Sequence, residues 1–546
     1  MRAADVIVRC LEAHGIERVY CVPGESYLAL LDALFDSSIE VIVCRHESGA
    51  GFMAVAEAKL TGKPTVFLVS RGPGATNGSI AIHVAEQDAV PVLLLVGQVS
   101  REERGRGAFQ EVDYGQFFGG MTKGVFEVFE GHKIGEIVSR SLRLACEGKP
   151  GPVIISLPED VLSDAAGEVI PMPIPVAAAH HSADDIAMIL AMIDAAENPI
   201  VVAGAMLRGA KGAAALAQFA EALRVPVAVT WKNQDIFDNA SPLYAGHLGF
   251  GNPPKHRQVL ANADLIIAVG TRLGDVASLN YTFPSAMEPK QKLIHIYPDG
   301  EPIGKVFRAD FGLVADPVAV LSELALNPKV VSSARESWRS SINDFVKGFQ
   351  VFKSPEPKDG VDFGRVVVSV AAQAPPNAII TTDAGNMSTW VHRHWIMTPR
   401  NTLLGAIAGA MGFGVPAAVA AGLADETRMA ITFVGDGGVL MTGQELATAM
   451  QYGAKTKIVI SDNGIYGTIR TYQARLYPSR VSGTDLVNPD FTAWAKSFGA
   501  LAVSIALGDD VDVKVKEFLS HDGAAVLHVK SSKEALSAFT TLSALS

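Results

Sequence analysis

The chain is poor in cysteine, in clustered basic residues and in long apolar runs. Its four cysteines, at positions 10, 21, 44 and 146, lack metal-ligand spacing and lie in apolar segments, so we expect buried reduced thiols. The formal net charge is −11 and Lys and Arg are dispersed, which excludes the basic surface that nucleic acid requires. No charge-free apolar run reaches the roughly 18 residues of a membrane span, and Asp5 and Arg9 interrupt the segment where a signal peptide would be apolar. We therefore predict a cytoplasmic protein with neither nucleic acid nor membrane as a partner.

Apolar sequence, by contrast, is abundant: 49% of the 546 residues are hydrophobic and 19% are charged. A chain of this length should divide into about three or four domains. Short apolar segments such as Thr65–Val69 alternate with segments of helical spacing such as 3–14, a pattern typical of α/β domains with parallel sheets. A proline-rich stretch at 170–176 is typical of a linker. We predict three doubly wound parallel-sheet domains, at 1–165, 185–328 and 355–535.

The most informative segment is the turn Gly435-Asp436-Gly437-Gly438, which is followed by Asp462-Asn463-Gly464 after a strand-like segment. Glycines let the backbone approach a phosphate, and a helix that we predict to start near Thr442 would point its N–H groups at an anion. The side-chain oxygens of Asp436 and Asn463 are the ligands that Mg²⁺ prefers beside a diphosphate. An isolated turn of this kind is most often only a turn, so the interpretation depends on further motifs.

Three further motifs occur in the same chain: Arg45-His46-Glu47-Ser48-Gly49-Ala50, Gly72-Pro73-Gly74-Ala75-Thr76-Asn77 and Gly412-Phe413-Gly414-Val415-Pro416. In this order, and together with the two segments above, they resemble the thiamine diphosphate enzymes. The group with the greatest likeness contains the acetolactate synthases, pyruvate oxidases and 2-oxo acid decarboxylases. The resemblance extends over residues 3–527 and implies a pyrimidine-binding first domain, a central domain and a diphosphate-binding third domain.

The resemblance also implies roles for individual residues. Glu47 would hydrogen-bond the aminopyrimidine ring of the cofactor and promote its activation. Met411 would bend the cofactor into its compact shape, and the Gly409 carbonyl would accept a hydrogen bond from the ring amine. Asp436, Asn463 and the backbone carbonyl of Ile465 would ligate Mg²⁺. The other implied cofactor contacts are Gly385, Asn386, Met387, Gly435, Gly437, Gly438 and Tyr466.

Residues on the substrate side are implied by the same likeness. Phe109 and Gln110 match a segment that lines the active site of acetolactate synthases from the first domain. Glu25 stands where the simple decarboxylases carry an acid, so it is a candidate general acid, the alternative being a solvated turn glutamate. His83, in an apolar helix, is interpreted as a core histidine.

These matches imply a thiamine diphosphate- and Mg²⁺-dependent enzyme that acts on a 2-oxo acid through an enamine intermediate. Carboligation of the acetolactate synthase type is the first interpretation, because Phe109-Gln110 and residues 45–51 resemble those synthases most. Thr471 and Tyr472, however, replace a glutamine and a tryptophan that those synthases usually carry.

Three alternatives stay open. Non-oxidative decarboxylation, as in benzoylformate or pyruvate decarboxylase, is supported by Glu25 and Tyr466. A C–C lyase that cleaves a diketone and a non-catalytic relative that only binds the cofactor are the other two.

The resemblance also has implications for FAD binding and for the oligomeric state. Residues 263–272 match the frame on which some family members bind FAD, but Gly274-Asp275 and Tyr297-Pro298-Asp299 retain only part of the acidic pattern. The likeness therefore favours an enzyme without FAD while leaving FAD possible. In the family, Glu47 and the diphosphate site of one active site come from different subunits, which implies a homodimer, commonly doubled to a homotetramer.

Overall fold

The structure is a computed structural model of the 546-residue chain and describes residues 1–167, 172–329 and 332–545. These residues form two compact units. The first unit contains Met1–Ala177, Ile379–Gly385 and Leu404–Ser531, and the second contains Ala178–Ala378, Asn386–Leu403 and Ser532–Ser546. Residues 170 and 171 of the predicted linker lie outside the described residues, while 172–176 form neither helix nor strand.

The N-terminal part of the chain forms a six-stranded parallel sheet. Its strands are β1 (Arg18–Cys21), β2 (Glu40–Val43), β3 (Thr65–Val69), β4 (Val92–Gln98), β5 (Gly124–Glu127) and β6 (Val153–Pro158). Its helices are α1 (Ala3–Ala13), α2 (Leu28–Phe35), α3 (Glu47–Thr61), α4 (Pro73–Asp88), α5 (Tyr114–Phe118) and α6 (Ile134–Cys146). The strand order is β2-β1-β3-β4-β6-β5. Every residue of β3 and β4 is buried, as expected for central strands with both faces covered.

The central part of the chain forms a second parallel sheet of six strands. They are β7 (Pro199–Ala203), β8 (Val227–Thr230), β9 (Tyr244–Leu248), β10 (Leu265–Val269), β11 (Lys292–Tyr297) and β12 (Phe311–Val314), in the order β12-β11-β10-β7-β8-β9. The helices are α7 (Ala183–Ala195), α8 (Gly209–Leu223), α9 (Pro254–Leu260), α10 (Pro317–Leu324) and α11 (Ser333–Gln350). This order is that of a dinucleotide-binding sheet.

The C-terminal part of the chain supplies the third sheet. Its strands are β13 (Ile379–Thr382), β14 (Thr402–Gly405), β15 (Ala430–Gly435), β16 (Thr456–Asp462), β17 (Leu501–Ile505) and β18 (Ala525–Lys530), in the order β14-β13-β15-β16-β18-β17. The helices are α12 (Phe363–Gln373), α13 (Ser388–His394), α14 (Gly414–Ala424), α15 (Asp436–Thr442), α16 (Leu446–Tyr452), α17 (Gly467–Leu476), α18 (Phe491–Ser497) and α19 (Val511–Ser520). Counted within the sheet, this is the same strand order as in the first sheet.

The three parallel sheets confirm the predicted fold class, whereas the boundaries of the three domains stay a prediction. The predicted start of a helix near Thr442 is wrong, because α15 begins at Asp436 and ends at Thr442. A Cβ on Gly437 would lie 2.5 Å from the Tyr466 ring and one on Gly438 would lie 2.8 Å from Oδ2 of Asp383, so close packing accounts for these two glycines in the first turn of the helix. His83 is exposed on α4, so its interpretation as a core histidine is also wrong.

The core of the first unit joins helices of the first and third sheets. The small-residue helices α3 and α14 pack against each other, with the rings of Phe52 and Phe413 5.6 Å apart. Lys59 of α3 and Asp88 of α4 form a buried ion pair of 2.5 Å. Lys59 also donates to the Gly405 carbonyl at 2.6 Å, and the Ile407 N–H donates to Asp88 at 2.8 Å. The chain that leads to Gly409 and Met411 is therefore fixed to the first sheet by a satisfied buried pair.

All four cysteines are free thiols; three are buried and Cys146 is half-buried. Over the three described ranges, no helix is both long enough and apolar enough to cross a membrane.

Candidate active site

The N-terminal site residues all follow the carboxyl ends of four neighbouring strands. Glu25 follows β1, Glu47 follows β2, Gly72–Asn77 follows β3 and Phe109-Gln110 follows β4. Open α/β sheets bind ligands outside the carboxyl ends of their strands. The topology therefore brings residues that are far apart in sequence to one edge of the first sheet.

Glu47 is the first residue of α3 and is half-buried. Its Oε2 accepts a hydrogen bond of 3.0 Å from Nδ2 of Asn77. A Cβ placed on Gly74 would lie 3.4 Å from Oε1 of Glu47, so the glycine leaves room beside the carboxylate. Asn77 belongs to the motif Gly72–Asn77, but the sequence alone indicated no role for it. The positive end of the helix dipole favours the carboxylate at this place.

The loop that carries Phe109 and Gln110 packs on the turn after β3. Gln110 has a φ of +63°, and a Cβ on Gly72 would lie 2.8 Å from the Gln110 carbonyl oxygen. Glu111 holds the loop by accepting hydrogen bonds from the N–H groups of Gly105 (2.6 Å) and Ala108 (3.1 Å), which lower the pKa of its carboxyl. The side chain of Phe109 is 74% exposed, so this fixed loop presents a large apolar surface at the edge.

Glu25 lies in the turn after β1 with its side chain 67% exposed. Its nearest charged partner is Arg71, whose guanidinium lies 3.6 Å away. The Arg71 N–H donates to the buried Ser26 hydroxyl at 3.3 Å, which fixes the turn rather than Glu25 itself. The role of Glu25 as a general acid stays a prediction.

The third sheet arranges its own site residues at the matching edge. Asp383 and Gly385 follow β13, Gly435 ends β15, Asp436 begins α15 and Asp462 ends β16. The strands β13, β15 and β16 are neighbours in that order. The carboxyl ends of these three strands therefore collect the predicted diphosphate and metal residues.

The carboxylate of Asp436 is buried, with 3% of the residue exposed. Its Oδ1 accepts from the Gly437 N–H at 2.9 Å, and its Oδ2 accepts from the Gly464 N–H at 2.7 Å and from Asn488 at 2.8 Å. Burial raises the pKa of Asp436, and these three hydrogen bonds oppose that rise. The side chain is therefore held in one orientation by its own chain.

Asn488 joins the two acidic residues of the site. Its Nδ2 donates to Oδ2 of Asp436 and to Oδ1 of Asp462, each at 2.8 Å. Oδ2 of Asp462 also meets Nε2 of His528 at 2.8 Å and Nζ of Lys530 at 3.0 Å. Burial raises the pKa of Asp462, but the bonds from His528, Asn488 and Lys530 outweigh it and hold that pKa well below its usual range. Sequence reasoning missed Asn488, His528 and Lys530. His528 and Lys530 lie on β18, which pairs with β16, and Asn488 lies in the loop between α17 and α18.

Asn463, Ile465 and Tyr466 form the turn after β16. Oδ1 of Asn463 accepts from the Ile465 N–H at 3.2 Å, and Gly464 has a φ of +65°. Ile465 is buried, and the Tyr466 N–H donates to the Thr484 carbonyl at 2.8 Å. A Cβ on Gly437 would lie 2.5 Å from the Tyr466 ring, so glycine is needed there for the ring to pack.

The donor set of this turn fits Mg²⁺. It combines a carboxylate oxygen of Asp436, an amide oxygen of Asn463 and a backbone carbonyl, all hard oxygen ligands that leave positions for phosphate oxygens. Among the described residues, no group of three or more His, Cys, Asp or Glu side chains is placed to hold a metal. A site of this kind would therefore depend on amide, carbonyl and ligand oxygens beside one carboxylate.

Asp383 organises the segment that contains Gly409 and Met411. Both of its carboxylate oxygens accept from the Gly412 N–H at 2.9 Å, and a Cβ on Gly438 would lie 2.8 Å from Oδ2. Gly409 has a φ of +72° and Met411 is half-buried. Asp383, which sequence reasoning did not single out, thus holds the predicted cofactor-bending segment beside the glycine turn of Asp436.

The remaining predicted contacts lie next to each other in sequence. Gly385, with a φ of +139°, belongs to the first unit, whereas Asn386 and Met387 belong to the second. Met387 is buried with 5% of the residue exposed, and Asn386 is half-buried. Their contact with a cofactor stays a prediction.

The possible flavin residues lie after strands of the central sheet. Asp299, after β11, accepts at Oδ1 from the Glu301 N–H at 2.9 Å and so caps its own turn. Nε2 of His295 lies 2.9 Å from the Thr271 carbonyl. These contacts account for local structure and give no separate support for FAD.

Comparison with known proteins places the sequence in one family over nearly its whole length. Family models of thiamine pyrophosphate enzymes match three segments: the N-terminal TPP binding domain at 1–117, the central domain at 186–324 and the C-terminal TPP binding domain at 383–529. The chain is 34% identical to the acetolactate synthase isozyme 1 large subunit of Escherichia coli K12, over 97% of this chain and 94% of that protein. It is 33% identical to a probable acetolactate synthase large subunit of Methanocaldococcus jannaschii, over 95% and 90% of the two chains. It is 32% identical to the acetolactate synthase large subunit of Parasynechococcus marenigrum, over 96% and 85%.

Proposed function

Because this chain belongs to the thiamine pyrophosphate enzyme family and is an acetolactate synthase-like enzyme, we propose that it is a carboligase dependent on thiamine diphosphate and Mg²⁺. The substrate class is a 2-oxo acid, and the enamine route implied by the resemblance is part of the proposal. The observation that carries it is that one chain holds both a fixed Asp436-Asn463 turn at the carboxyl edge of the third sheet and Glu47 at the carboxyl edge of the first.

The residues that would hold the cofactor fall into two groups. Asp436, Asn463 and the Ile465 carbonyl would bind Mg²⁺, while the glycines at 435, 437 and 438 would let the backbone approach the diphosphate. Thiamine diphosphate, when bound, supplies the carbanion-stabilising chemistry that protein side chains lack. Gly385, Asn386, Met387 and Tyr466 are proposed as further contacts.

The chain's own residues would orient the cofactor and move one proton. Glu47 would hydrogen-bond the aminopyrimidine ring and shift its protonation, with Asn77 keeping the carboxylate in place at 3.0 Å. Met411 would keep the cofactor bent, and its segment is fixed through Gly412 and Asp383. Phe109, presented by the loop that Glu111 braces, would shield the reacting carbon from water.

Carboligation is preferred to simple decarboxylation because the relatives named above are acetolactate synthases. A non-oxidative decarboxylase is the second candidate. Glu25, an acid at the same sheet edge, and Tyr466, in the turn after β16, support it. Tyr472, 49% exposed on α17, stands where acetolactate synthases usually carry a tryptophan. FAD is left out of the proposed reaction.

A homodimer or homotetramer is proposed as the active form. Glu47 is half-exposed in the single chain, which supports a surface completed by a second subunit. We expect light scattering to give a dimer or larger assembly, and we expect specific activity to fall on dilution into a monomeric state. A fully active monomer would contradict this assembly.

The test of function is incubation of the purified protein with Mg²⁺, thiamine diphosphate and pyruvate, with products followed by NMR. Acetolactate is the expected product. Acetaldehyde alone would favour the decarboxylase. No product from a panel of 2-oxo acids, with the cofactor still bound, would exclude both activities and direct attention to a C–C lyase.

A further inference from the structure

Glu445 is a fully buried acidic residue in the first unit that neither the motifs nor the proposed reaction uses. It ends the short 3-10 turn Gly443–Glu445, which directly follows α15. Oε1 accepts from the N–H groups of Arg45 at 3.1 Å and His46 at 3.0 Å, and Oε2 accepts from the Arg45 N–H at 3.1 Å. The hydroxyl of Thr448 donates to Oε2 at 2.6 Å. The carboxylate therefore binds the two residues that precede Glu47.

The sequence leaves room for this contact. A Cβ on Gly49 would lie 2.3 Å from Oε1 of Glu445, so no other residue fits at that position without displacing the carboxylate. Glycine inside a helix weakens the helix, yet Gly49 occupies the first turn of α3. The close approach of Glu445 is a sufficient physical reason for that glycine.

The contacts of Glu445 all favour the ionised carboxylate. Burial raises its pKa, and the hydrogen bonds from Thr448, Arg45 and His46 oppose that rise. Every partner is a donor, so the site is built for an acceptor with two oxygens. A glutamine in this place would turn an NH₂ group toward at least one backbone N–H.

His46 connects the backbone contacts of Glu445 to the start of helix α3. It is the N-cap residue of α3, and its ring Nδ1 accepts from the Ser48 N–H at 3.1 Å. The backbone N–H of the same residue is bound by Glu445. Glu47 stands between two residues whose positions are set in this way, so its backbone has little freedom.

We propose that Glu445 is a positioning residue: by fixing the backbone that leads into Glu47, it places the Glu47 carboxylate for proton transfer to and from the cofactor ring. In this proposal it acts through the backbone of residues 45 and 46 and not by contact with the cofactor. The inference rests on the proposed function. It also connects a segment of the third sheet, which follows α15, to the residues that precede Glu47 in the first. Glu445 lies nine residues after Asp436. The short segment 436–445 therefore carries the proposed metal ligand Asp436 at its start and, at its end, the carboxylate that binds the backbone before Glu47.

The competing interpretation is that Glu445 only helps the helices of the first and third sheets to pack against each other. Tyr452 provides a matched control for this interpretation. Its hydroxyl accepts from the Val43 N–H at 2.8 Å and donates to the Val41 carbonyl at 3.1 Å. Tyr452 thus fastens the same segment, a few residues before Glu47, to the same stretch of the third sheet. Among the described residues, its hydroxyl makes no hydrogen bond to residues 45–47.

The experiment compares E445Q and Y452F with the wild type in the full-length protein loaded with Mg²⁺ and thiamine diphosphate. The readouts are the rate of hydrogen–deuterium exchange at C2 of the bound cofactor, the cofactor Kd and the Tm. We expect E445Q to slow exchange by about tenfold to a hundredfold, the range that a small misplacement of a catalytic group produces. We expect Y452F to keep exchange within about twofold at a comparable loss of Tm.

Equal exchange rates in E445Q and the wild type would overturn the proposal. So would losses of exchange in E445Q and Y452F that simply follow their losses of Tm. Should E445Q not fold, E445D retains the charge but shortens the reach, and it must slow exchange in the same direction for the proposal to stand. A wild type that binds cofactor but shows no C2 exchange would instead refute the proposed function.

Discussion

Two carboxylates at corresponding edges of the first and third sheets are held in different ways. Asp436 on the third sheet is buried and accepts three hydrogen bonds from its own chain. Glu47 on the first sheet is half-buried, and within the described part of the chain it accepts one hydrogen bond, from Asn77. The backbone before Glu47 is nevertheless bound firmly by Glu445.

The difference indicates a division of work within one chain. The Asp436 side is preorganised, so a metal would meet ligands whose orientation is already set. The Glu47 side has a fixed backbone and an open carboxylate, which suits a group that must contact a ligand and exchange a proton with it. The four predictions that follow test this contrast, beginning with the largest effect.

Substitution of Glu47 by Gln should reduce kcat by about 10²–10⁴-fold, the usual range for general acid–base catalysis. Cofactor affinity should change far less, because binding depends mainly on the opposite, preorganised side. Steady-state kinetics and calorimetric titration with thiamine diphosphate measure the two effects. Loss of affinity as large as the loss of kcat would remove the proposed division.

The reverse pattern is expected for Asp436. D436N should weaken metal binding by at least about a hundredfold, equivalent to roughly 3 kcal/mol, since the one carboxylate of the donor set is neutralised. Electron paramagnetic resonance with Mn²⁺ measures the affinity directly. Asp522, an exposed residue paired with Lys455 away from the carboxyl edge, provides the control D522N, which should bind Mn²⁺ like the wild type.

Asn488 should sharpen the comparison further, because it orients Asp436 without belonging to the donor set. N488A should weaken Mn²⁺ binding by about 10–100-fold, the range found when hydrogen-bond partners of metal ligands are removed. N488D would add a third carboxylate beside Asp436 and Asp462 and should disturb the turn at least as much. Unchanged affinity in N488A would mean that Asp436 is oriented by its backbone donors alone.

The smallest effect is predicted at the amino end of β16, away from the site. Burial lowers the pKa of Lys457 from 10.5 to about 8, and its Nζ donates to the carbonyls of His521 and Gly523. The unfolded chain then binds more protons than the folded chain between these values, so this residue's contribution to stability rises with pH from about 8 to 10.5.

Thermal unfolding across that pH window tests the assignment. The Tm of the wild type relative to K457M should increase with pH, while the specific activity of the two proteins at neutral pH should agree. A Tm difference that does not depend on pH would show that Lys457 is not perturbed in the folded state.

Much of the fold was predictable because its signals are local. Apolar strands, helical spacing and glycine-rich turns follow from neighbouring residues, and the three sheets confirm them. The start of α15 was missed because Gly437 and Gly438 serve packing against Tyr466 and Asp383, which lie far away in sequence. His83 was assigned to the core, but it occupies the exposed face of α4.

Site residues were predictable only where they belong to a sequence motif. Asn488, His528 and Lys530 meet Asp462 because β18 pairs with β16 and because a long loop returns to the edge. Asp383 and Glu445 act through backbone N–H groups of distant turns, and such contacts leave no spacing pattern in the sequence. The roles assigned to the motif residues stay predictions until the substitutions above are made.

The shared strand order of the first and third sheets bears on the history of the chain. Backbone topology outlasts side-chain identity as sequences diverge, and the order 2-1-3-4-6-5 in both sheets is what a tandem gene duplication would leave. A single ancestral domain, assembled as a symmetric pair, would have offered two identical edges. After fusion, each copy would have been free to specialise, which agrees with a buried, fixed carboxylate at one edge and a half-buried one at the other.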